Sequence, residues 1–295
     1  MEKVLVFGGT RFFGNKLVER LINSGCDVTI ATRGKTQDSF GGKVKRVQLD
    51  RSVDDSRWDE ISSVQWDAVY DNICYNQNDA EIAVTRLGKN VVKFIFTSTL
   101  SVYGISETAQ VEDDFSPMHY TLPEKDKELD YGEGKRAAEA YFFQKSGWDV
   151  SAVRFPIVLG LDDYTKRLHF HIEKVSKEQD IGFPNIEASM GFVSSDEAAD
   201  ALFFLKDQPG LGPINICSEG HLTLKQLMNH IENATNKTAK ITSDVTEENH
   251  SPFGVSGSWY MDPSKAKAAG FHLRKLESWL FPLIDQLAGQ YSKAH

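Results

Sequence analysis

The sequence has few of the features that mark secreted, membrane-spanning or nucleic-acid-binding proteins. Only three of its 295 residues are cysteines, and this odd, scattered set (Cys26, Cys74 and Cys217) indicates free thiols in a reducing compartment. No apolar run reaches the roughly 18 residues of a membrane-spanning helix, and the run at residues 4–7 is too short for a signal peptide. Positive charge is in deficit, because the formal net charge is −9, which disfavours broad contact with a phosphate backbone. These absences predict a cytoplasmic protein with no membrane partner, and they disfavour a broad nucleic-acid surface but not a local basic cleft.

Composition and length are those of an ordinary globular chain. Apolar residues make up 40% and charged residues 25% of the sequence, which is too apolar a mixture for a disordered protein. A chain of 295 residues allows one large domain or two smaller ones. Its core is large enough to fold without disulfides or a structural metal.

Strand and helix signals alternate along the first half of the chain. Short apolar runs predict strands at residues 4–7, 27–32, 44–49, 68–70, 91–97 and 150–155. The later pattern predicts a short strand at 214–217 and helices at 131–140, 198–205, 222–231 and 276–287. Apolar strands separated by helices are typical of a parallel sheet that is covered on both faces. The predicted fold class is therefore α/β, with a doubly wound parallel sheet.

The first predicted strand runs into a glycine turn that opens a helix. Glycines let the backbone approach a pyrophosphate, and the first helical turn offers free N–H groups at the positive end of its dipole. The last glycine of the turn also lets the helix pack closely on the strand. Because the turn lies in a strand–helix–strand unit, it predicts a dinucleotide site. The candidate binding residues are Gly8, Thr10, Arg11, Phe12, Phe13 and Gly14.

The end of the second predicted strand bears on which dinucleotide binds. NAD sites usually carry an acid there, which accepts hydrogen bonds from the ribose hydroxyls. Residues 31–35 instead read Ala-Thr-Arg-Gly-Lys. Arg33 and Arg11 together suit the 2′-phosphate of NADP, although both also suit a solvated surface. We therefore expect NADP or NAD, with NADP favoured.

Tyr131 and Lys135 stand four residues apart at the start of a predicted helix, which puts both side chains on one helical face. A nearby ammonium favours the phenolate and lowers the pKa of the tyrosine. Such a tyrosine can take or return a hydroxyl proton while a nicotinamide exchanges a hydride. The fifth predicted strand ends in the hydroxyl residues 97–99, at the edge where open α/β sheets bind ligands. Capping of the strand end is the other interpretation of these hydroxyls.

The glycine loop, the strand end at 97–104 and the Tyr-x-x-x-Lys helix occur in an order that resembles the extended short-chain dehydrogenase/reductase family. This family contains the NAD(P)-dependent sugar epimerases and dehydratases. The resemblance implies that Thr99 hydrogen-bonds the reacting oxygen and that Tyr131 is the acid/base. It implies that Lys135 grips the nicotinamide ribose and tunes the tyrosine, and that Asp50 contacts the adenine ring.

The resemblance covers nearly the whole chain, since residues 154–160, 191–201, 214–216 and 262–271 are similar to further family motifs. It implies a Rossmann domain at 1–160, to which 190–216 return, and a small interleaved C-terminal α/β substrate lobe within 161–295. The implied activity is epimerase, dehydratase or reductase chemistry on a hydroxyl or carbonyl group. The expected partners are a small-molecule substrate, with a nucleotide sugar as one form, and a second copy of the chain in a homodimer.

Three departures from the family pattern limit this expectation. Arg11 replaces the middle glycine of the loop, Pro156 replaces an asparagine that contacts the sugar nucleotide in many epimerases, and residues 71–74 read Asp-Asn-Ile-Cys instead of His-Leu-Ala-Ala. An acid at position 71 is unfavourable if it points inward. The glycine loop and residues 32–35 also resemble a sub-branch that contains chloroplast RNA-binding relatives. A nucleotide-sensing or RNA-binding protein on the same scaffold is therefore the alternative, and a reductase of a small carbonyl or lactone is a third possibility.

His169 and His171 invite a metal interpretation. They lie two residues apart in a segment, 166–175, that is better interpreted as a helix, so they do not share a face. No further ligands cluster near them in the sequence. We therefore predict no metal site.

Overall fold

The computed structural model describes residues 1–124 and 127–293. The strands in these ranges are β1 (Lys3–Phe7), β2 (Asp27–Thr32), β3 (Lys45–Gln48), β4 (Trp66–Asp71), β5 (Val91–Thr99), β6 (Asp149–Phe155), β7 (Ile157–Leu159), β8 (Asp180–Gly182), β9 (Ser189–Met190), β10 (Phe192–Ser194), β11 (Gly212–Asn215), β12 (Leu222–Thr223) and β13 (Lys240–Thr242). The α-helices are α1 (Phe12–Asn23), α2 (Asp59–Ser62), α3 (Gln77–Leu87), α4 (Tyr131–Lys145), α5 (Arg167–Ser176), α6 (Ser195–Leu205), α7 (Leu224–Thr235), α8 (Ser264–Ala268) and α9 (Leu276–Lys293). One-turn 3₁₀ helices lie at Gly41–Lys43, Ser56–Trp58, Leu100–Val102 and Glu112–Asp114.

Seven strands form one sheet in the order β11-β6-β5-β4-β1-β2-β3, and every neighbouring pair is parallel. The order reverses between β1 and β4, since β2 and β3 follow on one side and β5, β6 and β11 on the other. In such sheets ligands bind beyond the carboxyl ends of the strands at this reversal. The predicted doubly wound α/β fold is confirmed.

The sheet strands are apolar because helices cover both of their faces. Four consecutive residues of β1, Val4 to Phe7, are fully buried. The Phe7 ring packs on Trp58 with 5.4 Å between ring centroids, in a cluster that also contains side chains of α3 and α4. Each fully buried side chain of this size contributes about 1.5–3 kcal/mol relative to an exposed one.

Several elements differ in their bounds from the sequence prediction, and for β5 and α7 the polar side chains are informative. Strand β5 continues past residue 97 because Ser98 and Thr99 pair with residues 154 and 155 of β6. The Thr97 hydroxyl donates to Asn72 Oδ1 (2.7 Å) and the Ser98 hydroxyl to Glu139 Oε2 (2.6 Å). These partners satisfy hydroxyls that would otherwise be costly to bury. The helix predicted at 222–231 begins at Leu224, because Thr223 forms a capping box and pairs with β9.

The chain divides into two compact units that interleave along the sequence. The first unit holds Met1–Tyr103, Glu112–Phe155 and Ala198–Ile216, and the second holds Gly104–Val111, Pro156–Glu197 and the residues from Cys217 on. The predicted boundaries, at 160 and at 190–216, differ from these. Because β7 pairs with β10, residues 156–160 and 190–197 belong to the second unit. Residues 104–111 also belong there, since Ser106 N donates to Ser258 O (3.1 Å).

The second unit has its own core. Helices α5, α7 and α9 pack on one another, and the strands pair as β7 with β10, β8 with β13 and β9 with β12. The apolar face of α5, which includes Leu168, Ile172 and Val175, is buried in this core. His171 is buried on the same helix and stacks on Phe253, with 4.4 Å between ring centroids.

Candidate active site

The glycine loop links β1 to α1, and its glycines, including Gly8 and Gly14, leave no room for a side chain. Gly8 has a φ of +76°, and a Cβ added there would lie 2.6 Å from Ile73 Cγ2. A Cβ added at Gly14, in the first turn of α1, would lie 2.7 Å from the Gly8 carbonyl oxygen. A cradle lined by backbone instead of side chains is what a pyrophosphate requires. The loop therefore fits a dinucleotide.

The aromatic residues of the loop lie beside this cradle. Phe12 is a non-glycine residue in the left-handed region, with a φ of 52°, a conformation that costs on the order of 1 kcal/mol. Its ring lies 5.7 Å from that of Phe13, between centroids. Phe13 in turn contacts Phe155 at the end of β6, with 5.8 Å between centroids. The start of α1 thereby reaches the carboxyl end of a second strand, and Thr10 is partly buried in the loop before it.

Arg11 has an extended backbone, with φ −139° and ψ 152°, which any residue can adopt. Its Nε donates to Thr36 Oγ1 at 3.0 Å, so the side chain reaches the segment that follows β2. Arg33 is exposed in that segment. The pKa of Asp50 is lowered, chiefly by the hydrogen bond from the Ser52 hydroxyl and in smaller part by the charge of Arg33. Arg11, Arg33 and Asp50 therefore all lie at the carboxyl ends of β1, β2 and β3.

Thr99 is the last residue of β5 and is 9% exposed. Its Oγ1 accepts a hydrogen bond from Ser101 N (3.1 Å) and donates one to Ser101 Oγ (3.2 Å). The hydroxyl thus caps the one-turn helix Leu100–Val102, which agrees with the capping interpretation of the strand-end hydroxyls. A contact between Thr99 and a reacting oxygen stays a prediction.

Helix α4 begins at Tyr131 because Asp130 caps it, accepting a hydrogen bond from Glu133 N at 2.8 Å. Two glycines in the first turn bring this helix close to the strand ends. A Cβ added at Gly132 would lie 2.7 Å from the carbonyl oxygen of Ser101, and one at Gly134 would lie 2.6 Å from that of Tyr75. The turn that carries Tyr131 is therefore in contact with the segments that follow both β4 and β5. Sequence reasoning missed both glycines, although their positions between Tyr131 and Lys135 were the available signal.

Tyr131 and Lys135 differ strongly in burial. The Tyr131 side chain is 53% exposed, whereas Lys135 is 2% exposed. Lys135 Nζ donates to the carbonyl oxygens of Cys74 (2.7 Å) and Thr97 (2.8 Å). It also lies over the rings of Tyr75 and Phe96, at 5.1 and 4.8 Å from their centroids. These contacts place the ammonium at the carboxyl ends of β4 and β5. Burial lowers the pKa of Lys135 to about 8, so this lysine titrates closer to neutrality than an exposed one.

Asp71, one of the departures from the family pattern, does point inward and is fully buried. The unfavourable buried charge is offset by Arg51, whose Nη2 donates to Asp71 Oδ2. Arg51 is itself 4% exposed, and its Nη1 lies 3.5 Å from Asp79 Oδ1. Sequence reasoning missed this partner. The available signal was an arginine at the carboxyl end of β3, the edge at which β4 also ends.

A second buried ion pair, between Arg154 of β6 and Glu139 of α4, holds the strand end in place. Arg154 Nη1 also donates to Tyr103 Oη (2.7 Å), and Ser98 Oγ donates to Glu139 Oε2 (2.6 Å). The two residues that flank the segment 99–102 are thereby tied to one ion pair. This network was also missed from the sequence, because its members are far apart in the chain.

Two kinds of feature are absent from the described residues. Within 1–124 and 127–293, the His, Cys, Asp and Glu side chains include no group of three or more that could hold a metal ion. Over the same ranges, no helix combines the length and the apolar character that crossing a membrane requires.

Comparison with known families decides where this fold and site belong. The sequence model of the NAD dependent epimerase/dehydratase family matches residues 4–217. The chain belongs to this family. The match includes the glycine loop, the end of β5 and the start of α4, so the recognition made from these motifs is confirmed.

Solved structures of this fold include epimerases and dehydratases at low sequence identity. A UDP-glucose 4-epimerase from Thermotoga maritima, solved with UDP-glucose, is 17% identical with a TM-score of 0.73, and 99% of each chain is covered. A UDP-N-acetylglucosamine 4-epimerase from Bacillus cereus is 21% identical with a TM-score of 0.66, covering 99% of this chain and 97% of that one. A dTDP-glucose 4,6-dehydratase from Bacillus anthracis, in complex with NAD, is 14% identical with a TM-score of 0.74, covering 99% and 97%. At these identities the likeness is one of fold.

The chain is also similar in sequence to the chloroplast stem-loop binding protein of 41 kDa b from Arabidopsis thaliana. The two are 31% identical over 115 residues. The match covers 35% of this chain and only 30% of the length of that relative. It agrees with the resemblance to the chloroplast sub-branch.

Proposed function

We propose that this protein is an NAD(P)-dependent enzyme that acts on a hydroxyl or carbonyl group of a small molecule by epimerase/dehydratase-type or reductase chemistry. The observation that supports this most is the position of the first turn of α4. The contacts at Gly132 and Gly134 bring the turn that carries Tyr131 to the segments that follow β4 and β5. Thr99 ends one of these strands, and the other is the neighbour of β1, from which the glycine loop starts.

The residues proposed to hold the cofactor surround the carboxyl ends of β1, β2 and β3. The glycine loop would hold the pyrophosphate, Asp50 the adenine and Lys135 the nicotinamide ribose. Arg11 and Arg33, with no acid at the end of β2, favour NADP over NAD. When bound, the nicotinamide supplies the hydride acceptor and donor. The proposed loop residues are Gly8, Thr10, Arg11, Phe12, Phe13 and Gly14.

The proposed role of Tyr131 is to exchange a proton with the substrate oxygen. In the oxidising direction, the phenolate of Tyr131 takes the hydroxyl proton while the Thr99 hydroxyl hydrogen-bonds the same oxygen. The buried ammonium of Lys135 favours the phenolate by its positive charge, since an opposite charge stabilises the ionised form. In the reducing direction, the same tyrosine returns the proton to the oxygen.

A sugar nucleotide is the substrate class we favour. The support is that similar solved structures include one with UDP-glucose and one with UDP-glucuronic acid and NAD. We also propose a homodimer and a cytoplasmic location, and the three free cysteines support the second of these. Size-exclusion chromatography with light scattering tests the dimer.

The variant Tyr131→Phe tests the mechanism, because it removes the phenolic proton carrier and keeps the ring. We expect turnover to fall by at least about 100-fold, the usual loss for a missing acid/base. Cofactor affinity should stay within a few-fold of the wild type. Turnover is assayed with those nucleotide sugars that raise the melting temperature of the protein. Tyr164→Phe, at an exposed tyrosine of the second unit, is the control, and unchanged turnover in Tyr131→Phe would contradict the mechanism.

RNA binding is the second candidate, and the similarity to the chloroplast stem-loop binding protein favours it. The formal net charge of −9 opposes it, because phosphate contacts need local positive charge and lose strength with salt. We expect no shift of unstructured or stem-loop RNA in a gel at physiological salt and micromolar protein. Binding under these conditions, weakening steeply as salt rises, would favour the RNA-binding function over the enzyme.

A further inference from the structure

Four charged side chains are buried together beneath the carboxyl edge of the sheet. Arg51, Asp71, Asp79 and Lys135 are each at most 4% exposed. Each buried ion costs several kcal/mol of desolvation unless it is paired and hydrogen-bonded. Because two are positive and two are negative, the group has no net formal charge.

The two carboxylates of this group accept hydrogen bonds from the backbone that follows β4. Asp71 Oδ1 accepts a hydrogen bond from Ile73 N (3.2 Å), and Asp79 Oδ2 accepts one from Tyr75 N (2.9 Å). Arg51 lies between them, donating to Asp71 Oδ2 through Nη2 and placing Nη1 3.5 Å from Asp79 Oδ1. The two residues on either side of Cys74 are therefore tied to one arginine.

The carbonyl between these two tethered amides is an acceptor for Lys135. Lys135 Nζ donates to Cys74 O at 2.7 Å, and its other carbonyl acceptor, Thr97 O, is fixed in strand β5. The Tyr75 ring, on the same tethered segment, lies 5.1 Å from Nζ. Segment 73–75 is thus one wall of the lysine site, and it is the wall that secondary structure does not fix.

We propose that Arg51, Asp71 and Asp79 form a positioning clamp for Lys135, holding segment 73–75 so that the Cys74 carbonyl and the two acidic charges keep the ammonium in place. This inference rests on the proposed function of Lys135 in tuning Tyr131. One of its members, Asp71, lies in the segment 71–74, where the family pattern has His-Leu-Ala-Ala. Its members are positioning residues that act through Lys135.

The charges around Lys135 give the clamp a measurable consequence. Burial and the charge of Arg51 lower the pKa of Lys135, whereas the acidic groups raise it. Cys74 carries no negative charge that could replace that of Asp71 or Asp79, because burial raises the pKa of its thiol far above the usual value and keeps it neutral. The groups that face Lys135 are Arg51 after β3, Asp71 at the end of β4, Cys74 and Tyr75 after β4, Asp79 on α3 and Phe96 and Thr97 on β5.

The titration of Lys135 followed by NMR of ¹³Cε-labelled lysine tests the clamp, with Lys135→Arg to assign its signal. The variant Asp79→Asn removes one acidic charge and keeps an oxygen for Tyr75 N. We expect the Lys135 midpoint to fall by at least about 0.5 pH unit. Asp55→Asn, which removes the acid of the exposed Arg57–Asp55 pair, is the control and should leave the midpoint in place. An unchanged midpoint in folded Asp79→Asn would overturn the proposal.

Arg51→Lys is the second variant, and it tests the clamp by itself if Asp79→Asn does not fold. It keeps the charge but replaces the two guanidinium nitrogens that face Asp71 and Asp79 with a single ammonium on a flexible side chain. We expect the Tyr75 amide to exchange with deuterium at least about tenfold faster than in the wild type, with Arg57→Lys as the control. Unchanged exchange at both Ile73 and Tyr75 would overturn the clamp. Both measurements use the chain without substrate, so failure of the Tyr131→Phe experiment leaves their outcome intact.

Discussion

At the scale of single residues, charge pairing explains how polar side chains occupy the carboxyl edge of the sheet. Asp71 and Glu139 are fully buried, and each faces an arginine that is also buried, Arg51 and Arg154 respectively. Removing one partner of such a pair typically costs about 3–5 kcal/mol, because the other charge is left buried and unpaired. The same edge presents Arg33 to solvent, where a charge is available to a ligand.

Arg33→Ser tests the proposed preference for NADP. A lost charge-assisted contact to the 2′-phosphate costs about 1.5–3 kcal/mol, which corresponds to at least about a tenfold loss of NADP affinity. NAD affinity should change little, because NAD has no phosphate at that position. Melting temperatures measured across NADP and NAD concentrations report both affinities. Arg57→Ser is the control, and an equal loss for both dinucleotides would contradict the preference.

At the scale of elements, the start of α4 is where packing and chemistry meet. Its N-terminal turn has glycine at 132 and 134, and each glycine faces a backbone carbonyl of a segment that follows a sheet strand. A side chain at either position would force the helix away from the strands. The turn that carries Tyr131 can therefore lie close to the strand ends only because residues 132 and 134 have no side chain.

Gly132→Ala is expected to destabilise the protein by about 1–3 kcal/mol, because the added Cβ would lie 2.7 Å from Ser101 O and a backbone must shift. Gly289→Ala is the matched control, since Gly289 also lies in a helix but has no heavy atom within 4 Å of an added Cβ. That control should be neutral or stabilising by up to about 1 kcal/mol. Urea unfolding at pH 7 measures both changes. Equal free energies of unfolding in the two variants would contradict close packing at the start of α4.

The elements also show what sequence can and cannot predict. The strands β1, β2 and β6 follow from apolar runs, and the start of α4 follows from its motif, because such patterns depend on neighbours in the chain. Strand β5 exceeds its prediction because Ser98 and Thr99 pair with β6, a strand about 55 residues further along the chain. The Arg51–Asp71 pair was missed for the same reason, since Arg51 follows β3 and Asp71 ends β4, and β1 and β2 lie between these two strands in the sheet.

At the scale of the whole molecule, each unit buries an apolar cluster of its own among the described residues. The core of the second unit contains a polar side chain that titrates near neutrality when exposed, His171. Its Nδ1 donates to Arg167 O (2.9 Å) and its Nε2 accepts from Ser251 Oγ (2.7 Å). The rings of Phe183 and Phe253 stack on it. This site suits the neutral imidazole, because a second ring proton would remove the acceptor that Ser251 uses.

The acid stability of the protein should therefore depend on His171. Burial lowers its pKa to about 4, below the value of about 6.5 in an unfolded chain. Because the folded pKa is the lower one, the unfolded chain binds the proton first. The contribution of this group is complete above about pH 6.5 and is lost as the pH falls toward 4, about 3 kcal/mol in all.

The variant His171→Phe removes the titrating group and keeps an aromatic ring against Phe253. At pH 7 it should be less stable than the wild type, because two hydrogen bonds of the imidazole are lost. As the pH falls from 7 to 4.5, the wild type should lose about 2–3 kcal/mol of that advantage, since only its imidazole becomes costly to keep neutral. Urea unfolding at a series of pH values measures the difference, with His119→Phe, at an exposed histidine, as the control. If the difference in free energy of unfolding between the wild type and His171→Phe stays constant over this range, His171 does not determine the loss of stability in acid.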